Sequence, residues 1–150
     1  MFNEPVLKGI KKKPRITGRV FICSHREITD YHERHCDGDF AGMTFYDGTI
    51  WINTDMLTTQ SSIAHVLHHE LAHYDGWWDG GGFQKGNGLT YEQNEYAAEA
   101  IACMISDQVG IEGSVNYFHD YVGLHVTKHP KLVRKALVVS AERIYNQLYD

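Results

Sequence analysis

Residues 69–73 are His-Glu-Leu-Ala-His, an HExxH spacing that can place two imidazoles and a carboxylate around one metal ion. Residues four apart lie one above the other on a helix, so His69 and His73 can bind the same ion. Glu70 projects about 100° further round the turn, where it can take a proton from a water molecule that the metal activates. The spacing predicts a zinc hydrolase site with Glu70 as its catalytic base.

In a chain with 10 histidines the motif alone could be a coincidence, but its surroundings predict the helix that it needs. Thr58 or Thr59 offers an N-cap hydroxyl, and Gly76 is expected to end the helix. Between them one apolar stripe recurs at helical spacing, formed by Ile63, Val66, Leu67, Leu71 and Tyr74. His65 and His68 fall on the opposite side, and we interpret them as surface histidines rather than ligands.

The next helix is predicted to supply the third ligand. It begins with a capping box in which Thr90 and Gln93 satisfy the first backbone N–H groups, and it should end near Gly110. Glu95 can complete a His–His–Glu set that leaves the fourth zinc position for water. Glu99, one turn further on, is expected to accept the free ring N–H of a ligand histidine and to fix its tautomer. Without the HExxH motif, these two residues would be interpreted as an exposed carboxylate pair.

The combination of HExxH with residues 94–99, Asn-Glu-Tyr-Ala-Ala-Glu, resembles the gluzincin pattern, in which an NExxxD/E helix supplies the third ligand and a further acid. Among gluzincins, the chain resembles the ImmA/IrrE family and the metallopeptidase domain of ArdC-type antirestriction proteins. The hairpin of residues 46–53, which ends in Asn53 before the HExxH helix, and residues 117–149 also resemble these families. The resemblance covers about residues 40–149 and implies a zincin fold with one zinc ion per chain.

Length and composition fit a single intracellular domain. A chain of 150 residues can bury a substantial core, and it contains neither an apolar stretch of membrane length nor a signal-peptide pattern. Three cysteines without paired spacing favour a reducing compartment, so we expect a cytoplasmic protein, with a phage- or plasmid-encoded protein that acts in a bacterial host as one possibility. The net charge of -5 gives no indication of general nucleic-acid binding.

The basic residues are unevenly distributed. Five of the 14 Lys and Arg residues lie in the first fifteen positions, so residues 1–15 are predicted to form a flexible basic arm and residues 16–150 the domain. A solvated arm is the simpler interpretation, and contact with nucleic acid or an acidic partner is the alternative.

The remaining patterns predict an α+β domain. Residues 19–23, 41–46 and 49–53 are expected to be strands, the last two joined by a turn at Asp47-Gly48, and residues 26–35 a short helix. Helices are predicted over about 114–124 and from Pro130 to about Leu148. The expected architecture is zincin-like: a small, mostly antiparallel sheet packed on the HExxH helix and the Glu-bearing helix, with a C-terminal helical cover.

Two further segments have alternative interpretations. Residues 76–89 hold six glycines together with Trp77, Trp78 and Phe83, and they are either a flexible connector or a mobile substrate lip beside the zinc. A group of possible ligands comprises Cys23, His25, His32, His35 and Cys36. Its spacing is not that of a standard structural zinc site, which favours a core cysteine and surface histidines.

The function expected from these residues is hydrolysis of a peptide bond in a protein or peptide substrate, such as a regulatory protein. Glu70 would accept a proton from water and pass it to the leaving amine. A group that stabilises the tetrahedral oxyanion is also expected, and the candidates are Tyr74, Tyr91, His119, Tyr121 and His125. The alternatives are an antirestriction or protein-binding module that keeps the scaffold without proteolysis, and a structural zinc domain, in which Glu70 would have no role.

Overall fold

The computed structural model of the chain describes residues 20–32, 40–45, 49–57, 59–78, 90–111, 128 and 134–149, and for 32 and 75–78 the backbone alone. The elements in chain order are β1 (Val20–Cys23), α1 (His25–His32), β2 (Gly42–Thr44), β3 (Ile50–Asn53), α2 (Gln60–Trp78), α3 (Tyr91–Gln108) and α4 (Arg134–Tyr149). Helices and a small sheet pack together, which confirms the α+β class. The predicted arm, the Asp47-Gly48 turn, the helix over 114–124 and Pro130 lie outside the described residues.

The sheet is mixed, and the expectation of a mostly antiparallel sheet was wrong. Its order is β1-β3-β2, with β1 parallel and β2 antiparallel to β3. The parallel pair arises because α1 lies between β1 and β3 in the chain, so a crossover through a helix replaces a tight hairpin. Strand β3 is therefore central among the described strands, and all four of its residues are buried.

Alternation along β3 divides its side chains between two cores. Ile50 and Ile52 join a cluster with Ile63 and Leu67 of α2, whereas Trp51 packs on the other face of the sheet. Successive strand residues point to opposite faces, and because both faces are buried, the three residues 50–52 are all apolar. The sheet is thereby fixed on α2 by its Ile50 and Ile52 face.

Helix α2 begins as predicted and ends later than predicted. Thr59 Oγ1 accepts a hydrogen bond from the Ser62 backbone N–H at 3.1 Å, as an N-cap residue should. The expectation that Gly76 ends the helix was wrong, because α2 continues to Trp78. A glycine inside a helix costs only about 1 kcal/mol relative to alanine, so it disfavours a helix without stopping it.

Helix α3 has both predicted ends. The Thr90 side chain accepts from the Gln93 backbone N–H, and the Gln93 side chain accepts from the Thr90 backbone N–H, which confirms the capping box. Past Gln108 the chain turns at Gly110, whose φ of 90° is a conformation that favours glycine. Both ends of α3 are therefore set by local sequence.

Helix α4 covers the outer side of α2 and α3. One buried cluster contains small residues from both facing helices: Ala72 of α2, and Ala97, Ala98 and Ala100 of α3. From α4 that cluster receives Leu137, Ala141, Ile144 and Leu148. Alanines let helix axes approach closely, so charged side chains at the edge of the α2–α3 interface meet each other. No helix within the described ranges is long and apolar enough to cross a membrane.

Candidate metal centre

His69 and His73 on α2 and Glu95 on α3 converge on one point. The two histidine Nε2 atoms are 3.1 Å apart. Glu95 Oε2 lies 3.2 Å from His69 Nε2, and Glu95 Oε1 lies 3.0 Å from His73 Nε2. All three residues offer a ligand atom within 4.8 Å of the others, so they could hold a metal ion.

The chemistry of this donor set fits zinc. For Zn–N distances of about 2.0–2.1 Å, the ligands of a tetrahedral site stand about 3.3 Å apart. The separations between His69, His73 and Glu95 are 3.0–3.2 Å, close to that value. Two neutral imidazoles that face each other through Nε2 need something between them, because a lone pair facing a lone pair is unfavourable. A cation between them removes this conflict.

In the metal-free chain the carboxylates act strongly on the histidines. Burial alone would lower the pKa of His69, but its contacts with the carboxylates of Glu95 and Glu99 outweigh it and raise that pKa to about 10. Burial acts to raise the pKa of Glu95, whereas hydrogen bonds with His69 and His73 hold it well below its usual range. The site therefore favours a positive charge between its ligands.

Glu70 lies beside this cluster and under the sheet. Its side chain is only 6% exposed, and its Oε1 accepts a hydrogen bond of 2.9 Å from the Thr44 hydroxyl on β2. The same hydroxyl lies 3.0 Å from the Glu70 backbone carbonyl. A buried carboxylate without a partner is costly, so Thr44 both stabilises and orients Glu70.

Strand β2 reaches Glu70 because Gly42 lets it approach α2. A Cβ at position 42 would lie 2.6 Å from Val66 Cγ1 and 3.0 Å from Glu70 Cγ. The first distance is shorter than carbon atoms tolerate, so residue 42 must be glycine for the strand to sit where it does. Neither Gly42 nor Thr44 was singled out by sequence, because their role depends on the packing of a strand on a helix.

Glu99 lies on the far side of His69, away from the convergence point. The Glu99 Oε2 atom is 2.9 Å from His69 Nδ1, which is an ion-pair distance, but the angle is poor for a hydrogen bond. The other oxygen, Oε1, makes a short contact with His65 Nε2. Burial acts to raise the pKa of Glu99, but its contacts with the rings of His65 and His69 lower it to about 2. The structure thus places Glu95 at the Nε2 atoms and Glu99 at the outer nitrogen of His69.

The interpretation of His65 and His68 as solvent-facing was wrong. His68 is completely buried, with Nδ1 2.9 Å from Ser106 Oγ and Nε2 2.5 Å from the Tyr149 hydroxyl. His65 is half-buried, and its Nδ1 lies 2.8 Å from the same Ser106 Oγ. The side of α2 opposite its apolar stripe is covered by α3 and α4, so polar residues there are paired inside the protein.

A second group of three ligand-capable residues adjoins the first. His65, Glu99 and Cys103 also offer ligand atoms within 4.8 Å of one another. Burial and the charge of Glu99 raise the pKa of Cys103 to about 12, so its sulfur remains a thiol in the metal-free chain. Two members of that group, His65 and Glu99, are in direct contact with each other.

A cavity of about 580 Å³ opens beside these residues. It is bounded by residues 40–44 on one side and by His69, Glu70, His73 and Glu95 on the other. Tyr91, the first residue of α3, also lines it. The charge of Glu95, together with burial, raises the pKa of Tyr91, so its hydroxyl keeps its proton and can donate it in a hydrogen bond.

Only one of the five oxyanion candidates borders this cavity within the described part of the chain. That residue is Tyr91, whereas Tyr74 packs beside the cluster between α2 and the sheet. His119, Tyr121 and His125 lie outside the described residues.

Within the described side chains, the group around Cys23 does not form a metal site. Cys23 is buried against Ile28, Phe45 and Trp51, and burial raises the pKa of its thiol. Among the described side chains, neither Cys23 nor His25 belongs to a group of three that could hold an ion. His35, Cys36 and most of the glycine-rich segment lie outside the described residues.

Comparison of the chain with protein-family models, with curated proteins and with solved structures found no match. The residues of the site and their geometry are therefore the basis for a functional proposal.

Proposed function

We propose that this protein is a zinc metallopeptidase of the gluzincin type. The observation that carries the proposal is the convergence of His69, His73 and Glu95 beside a cavity, with Glu70 held at its wall. Three protein ligands leave one zinc position open, as catalytic rather than structural zinc sites do. The same pattern supports a relationship to the ImmA/IrrE and ArdC-type metallopeptidases.

Zinc bound by His69, His73 and Glu95 would act as a Lewis acid that polarises a carbonyl and lowers the pKa of water. Side chains of the protein would carry out the remaining steps. Glu70 borders the cavity and, as a base, would accept the proton from the attacking water. The Thr44 hydroxyl keeps the Glu70 carboxylate oriented during this transfer, since it already donates to Oε1.

Two more features support a peptide as the substrate. Tyr91 lines the cavity, and its hydroxyl would donate to an oxyanion that develops on the scissile carbonyl. Strand β2 is at an edge of the described sheet and lines the same cavity. An extended peptide can pair with such an edge through its backbone, which positions its peptide bonds without regard to sequence.

Metal analysis tests the first half of the proposal. The purified chain should contain about one zinc ion, and His69→Ala, His73→Ala and Glu95→Ala should each lose it, because three ligands are the minimum for this site. The matched control is Glu92→Ala, which removes a carboxylate from the exposed first turn of the same helix. Zinc retained in Glu95→Ala would remove Glu95 from the ligand set.

Peptide hydrolysis tests the second half. The zinc-loaded chain is incubated with a proteome-derived peptide library, and new termini are identified by mass spectrometry. Glu70→Gln keeps the shape of the side chain but removes the base, so cleavage should fall roughly 10²- to 10⁴-fold while zinc content is unchanged. If wild type and Glu70→Gln give the same termini, or if neither gives any, the scaffold is a non-proteolytic binding or antirestriction module instead.

A further inference from the structure

A continuous line of polar contacts leads from Glu99 to the C-terminal helix. Glu99 Oε1 contacts His65 Nε2, and His65 Nδ1 lies 2.8 Å from Ser106 Oγ. Ser106 Oγ lies 2.9 Å from His68 Nδ1, and His68 Nε2 lies 2.5 Å from the Tyr149 hydroxyl. Ser106 and His68 are fully buried, so these atoms have each other rather than water as partners.

The carboxylate at one end determines the direction of the hydrogen bonds. Each oxygen of the Glu99 carboxylate faces a ring nitrogen, one of His65 and one of His69, so Glu99 is the acceptor and His65 must donate to it from Nε2. A neutral imidazole that donates from Nε2 accepts at Nδ1, so the Ser106 hydroxyl must donate to His65. The single proton of Ser106 is then used, and its oxygen must accept from Nδ1 of His68.

The contacts at the Tyr149 end fit the same order of donors and acceptors. His68 is completely buried, and its two ring nitrogens lie against hydroxyls, those of Ser106 and Tyr149, so a neutral ring with one proton fits this space. Its Nδ1 uses that proton towards Ser106, and its Nε2 must accept from Tyr149. Burial also raises the pKa of the Tyr149 hydroxyl well above its usual range, so the donor proton is present.

From this order we infer that Tyr149, His68, Ser106 and His65 form a one-directional hydrogen-bond relay that holds Glu99 against His69. The inference rests on the proposed function only in taking His69 as a metal ligand. The relay places the second oxygen of Glu99 2.9 Å from His69 Nδ1, where the negative charge of the carboxylate favours the ring proton on that nitrogen and leaves Nε2 for the metal. The four residues are positioning residues, and through them α4 affects the affinity of the metal site.

If His65 were charged, the hydrogen bonds between His65 Nδ1 and Tyr149 would have the opposite direction. His65 would donate from both nitrogens, so Ser106 would donate to His68 Nδ1, and His68 would carry its proton on Nε2. The tautomer of His68 therefore distinguishes the relay from a line of contacts that only fills a buried polar space.

The first test is a two-bond ¹H–¹⁵N correlation spectrum of the full-length, zinc-loaded protein with ¹⁵N-labelled histidine. The relay requires His68 to be the neutral Nδ1–H tautomer and His65 to be the neutral Nε2–H tautomer. Assignment uses a His68→Gln spectrum, in which the His68 signals disappear. A proton on Nε2 of His68, or two protons on His65, would overturn the inferred order.

The second test measures zinc affinity by competition with a chelator. Ser106→Ala breaks the relay at its centre, and Tyr149→Phe removes its terminal donor. Both should weaken zinc binding about 3- to 10-fold, at or below the lower end of what outer partners of metal ligands contribute. Tyr145→Phe is the matched control, because it removes a hydroxyl one turn earlier on α4 without altering the relay, and its affinity should equal that of wild type.

Each result has a separate meaning. Unchanged zinc affinity in both Ser106→Ala and Tyr149→Phe would overturn the relay, whether or not peptides are cleaved. Absence of cleavage with the expected tautomers and affinities would refute the peptidase proposal and leave the relay standing. Two zinc ions per chain, with the second lost in Cys103→Ser, would replace the relay by a second metal site at His65, Glu99 and Cys103.

Discussion

Replacing Glu99 by glutamine changes one oxygen into an NH₂ group and keeps the shape of the side chain. The carboxylate faces two ring nitrogens, Nδ1 of His69 at 2.9 Å and Nε2 of His65 at shorter range. An amide can accept from only one of two donors, since its nitrogen presents hydrogens to the other. The substitution therefore tests which of the two contacts the structure needs most.

We expect the amide oxygen to stay with His69. A metal on Nε2 requires the proton of His69 to remain on Nδ1, so this ring must donate, and the amide oxygen is the acceptor. The NH₂ group of the introduced amide then faces His65, which must accept at Nε2 and carry its proton on Nδ1. Ser106 and His68 must reverse in turn, so Glu99→Gln should move the His68 proton from Nδ1 to Nε2.

The loss of zinc affinity follows from the change in acceptor charge. Hydrogen bonds to charged groups contribute about 1.5–3 kcal/mol and neutral ones about 0.5–1.5 kcal/mol, and the difference of about 1–1.5 kcal/mol is an upper bound for what the His69–Glu99 ion pair loses. About 1.4 kcal/mol is tenfold in a dissociation constant, so Glu99→Gln should weaken the zinc affinity by up to about 10-fold. Removal of a ligand, as in Glu95→Gln, should weaken binding far more.

The assay is chelator competition for zinc, together with the histidine tautomer spectrum. Asp107→Asn is the matched control for charge, because it removes one exposed carboxylate from the same helix away from the site. If Glu99→Gln abolishes zinc binding and Glu95→Gln leaves it intact, the roles of the two glutamates are reversed. If zinc affinity falls tenfold while His68 keeps its proton on Nδ1, the coupling from Glu99 to Ser106 is refuted.

Gly42→Ala should destabilise the fold by about 1–3 kcal/mol, because its Cβ would overlap Val66. Urea denaturation measures this, with Ala41→Gly as a control next to the same strand, and an unchanged midpoint for Gly42→Ala would contradict the close approach. Stability should also fall in acid through His68: its pKa is lowered from 6.5 to about 3, so between these values the unfolded chain binds a proton that the folded chain does not. The contribution is complete above pH 6.5 and decreases by up to about 1.4 kcal/mol per pH unit below it. Urea denaturation of the metal-free protein from about pH 7 to about pH 4, a range that spans most of this window, should give a steeper loss for wild type than for His68→Gln. Equal slopes would show that His68 is not buried neutral.

Local sequence was sufficient wherever local chemistry decides the structure. The capping box at Thr90 and Gln93, the turn at Gly110 and the N-cap at Thr59 depend on residues within a few positions of each other. The placing of His69, His73 and Glu95 also follows from helical spacing, because two α-helices can bring such groups together only through the faces that the spacing defines.

The remaining features depend on contacts between distant parts of the chain. His65 and Ser106 are 41 residues apart, and His68 and Tyr149 are 81 apart. A serine or a tyrosine carries no local signal that it will face a buried histidine. The parallel pairing of β1 with β3 has the same cause, since it is fixed by the path of the chain through α1 and not by alternation within either strand.

The error on His65 and His68 has a more specific cause. The helical wheel assumed that α2 buries one stripe, but α2 contacts the sheet on one side and both α3 and α4 on another. The second side could not be recognised by hydrophobicity, because its buried groups are histidines and its complementary groups are Ser106, Glu99 and Tyr149. In the proposed metallopeptidase, the enclosure of α2 would keep His69 rigid, because Glu99 lies against His69 and is itself in contact with His65, which Ser106 contacts in turn. The histidines that a wheel assigns to solvent are thus the ones through which α3 and α4 would hold this proposed ligand in place.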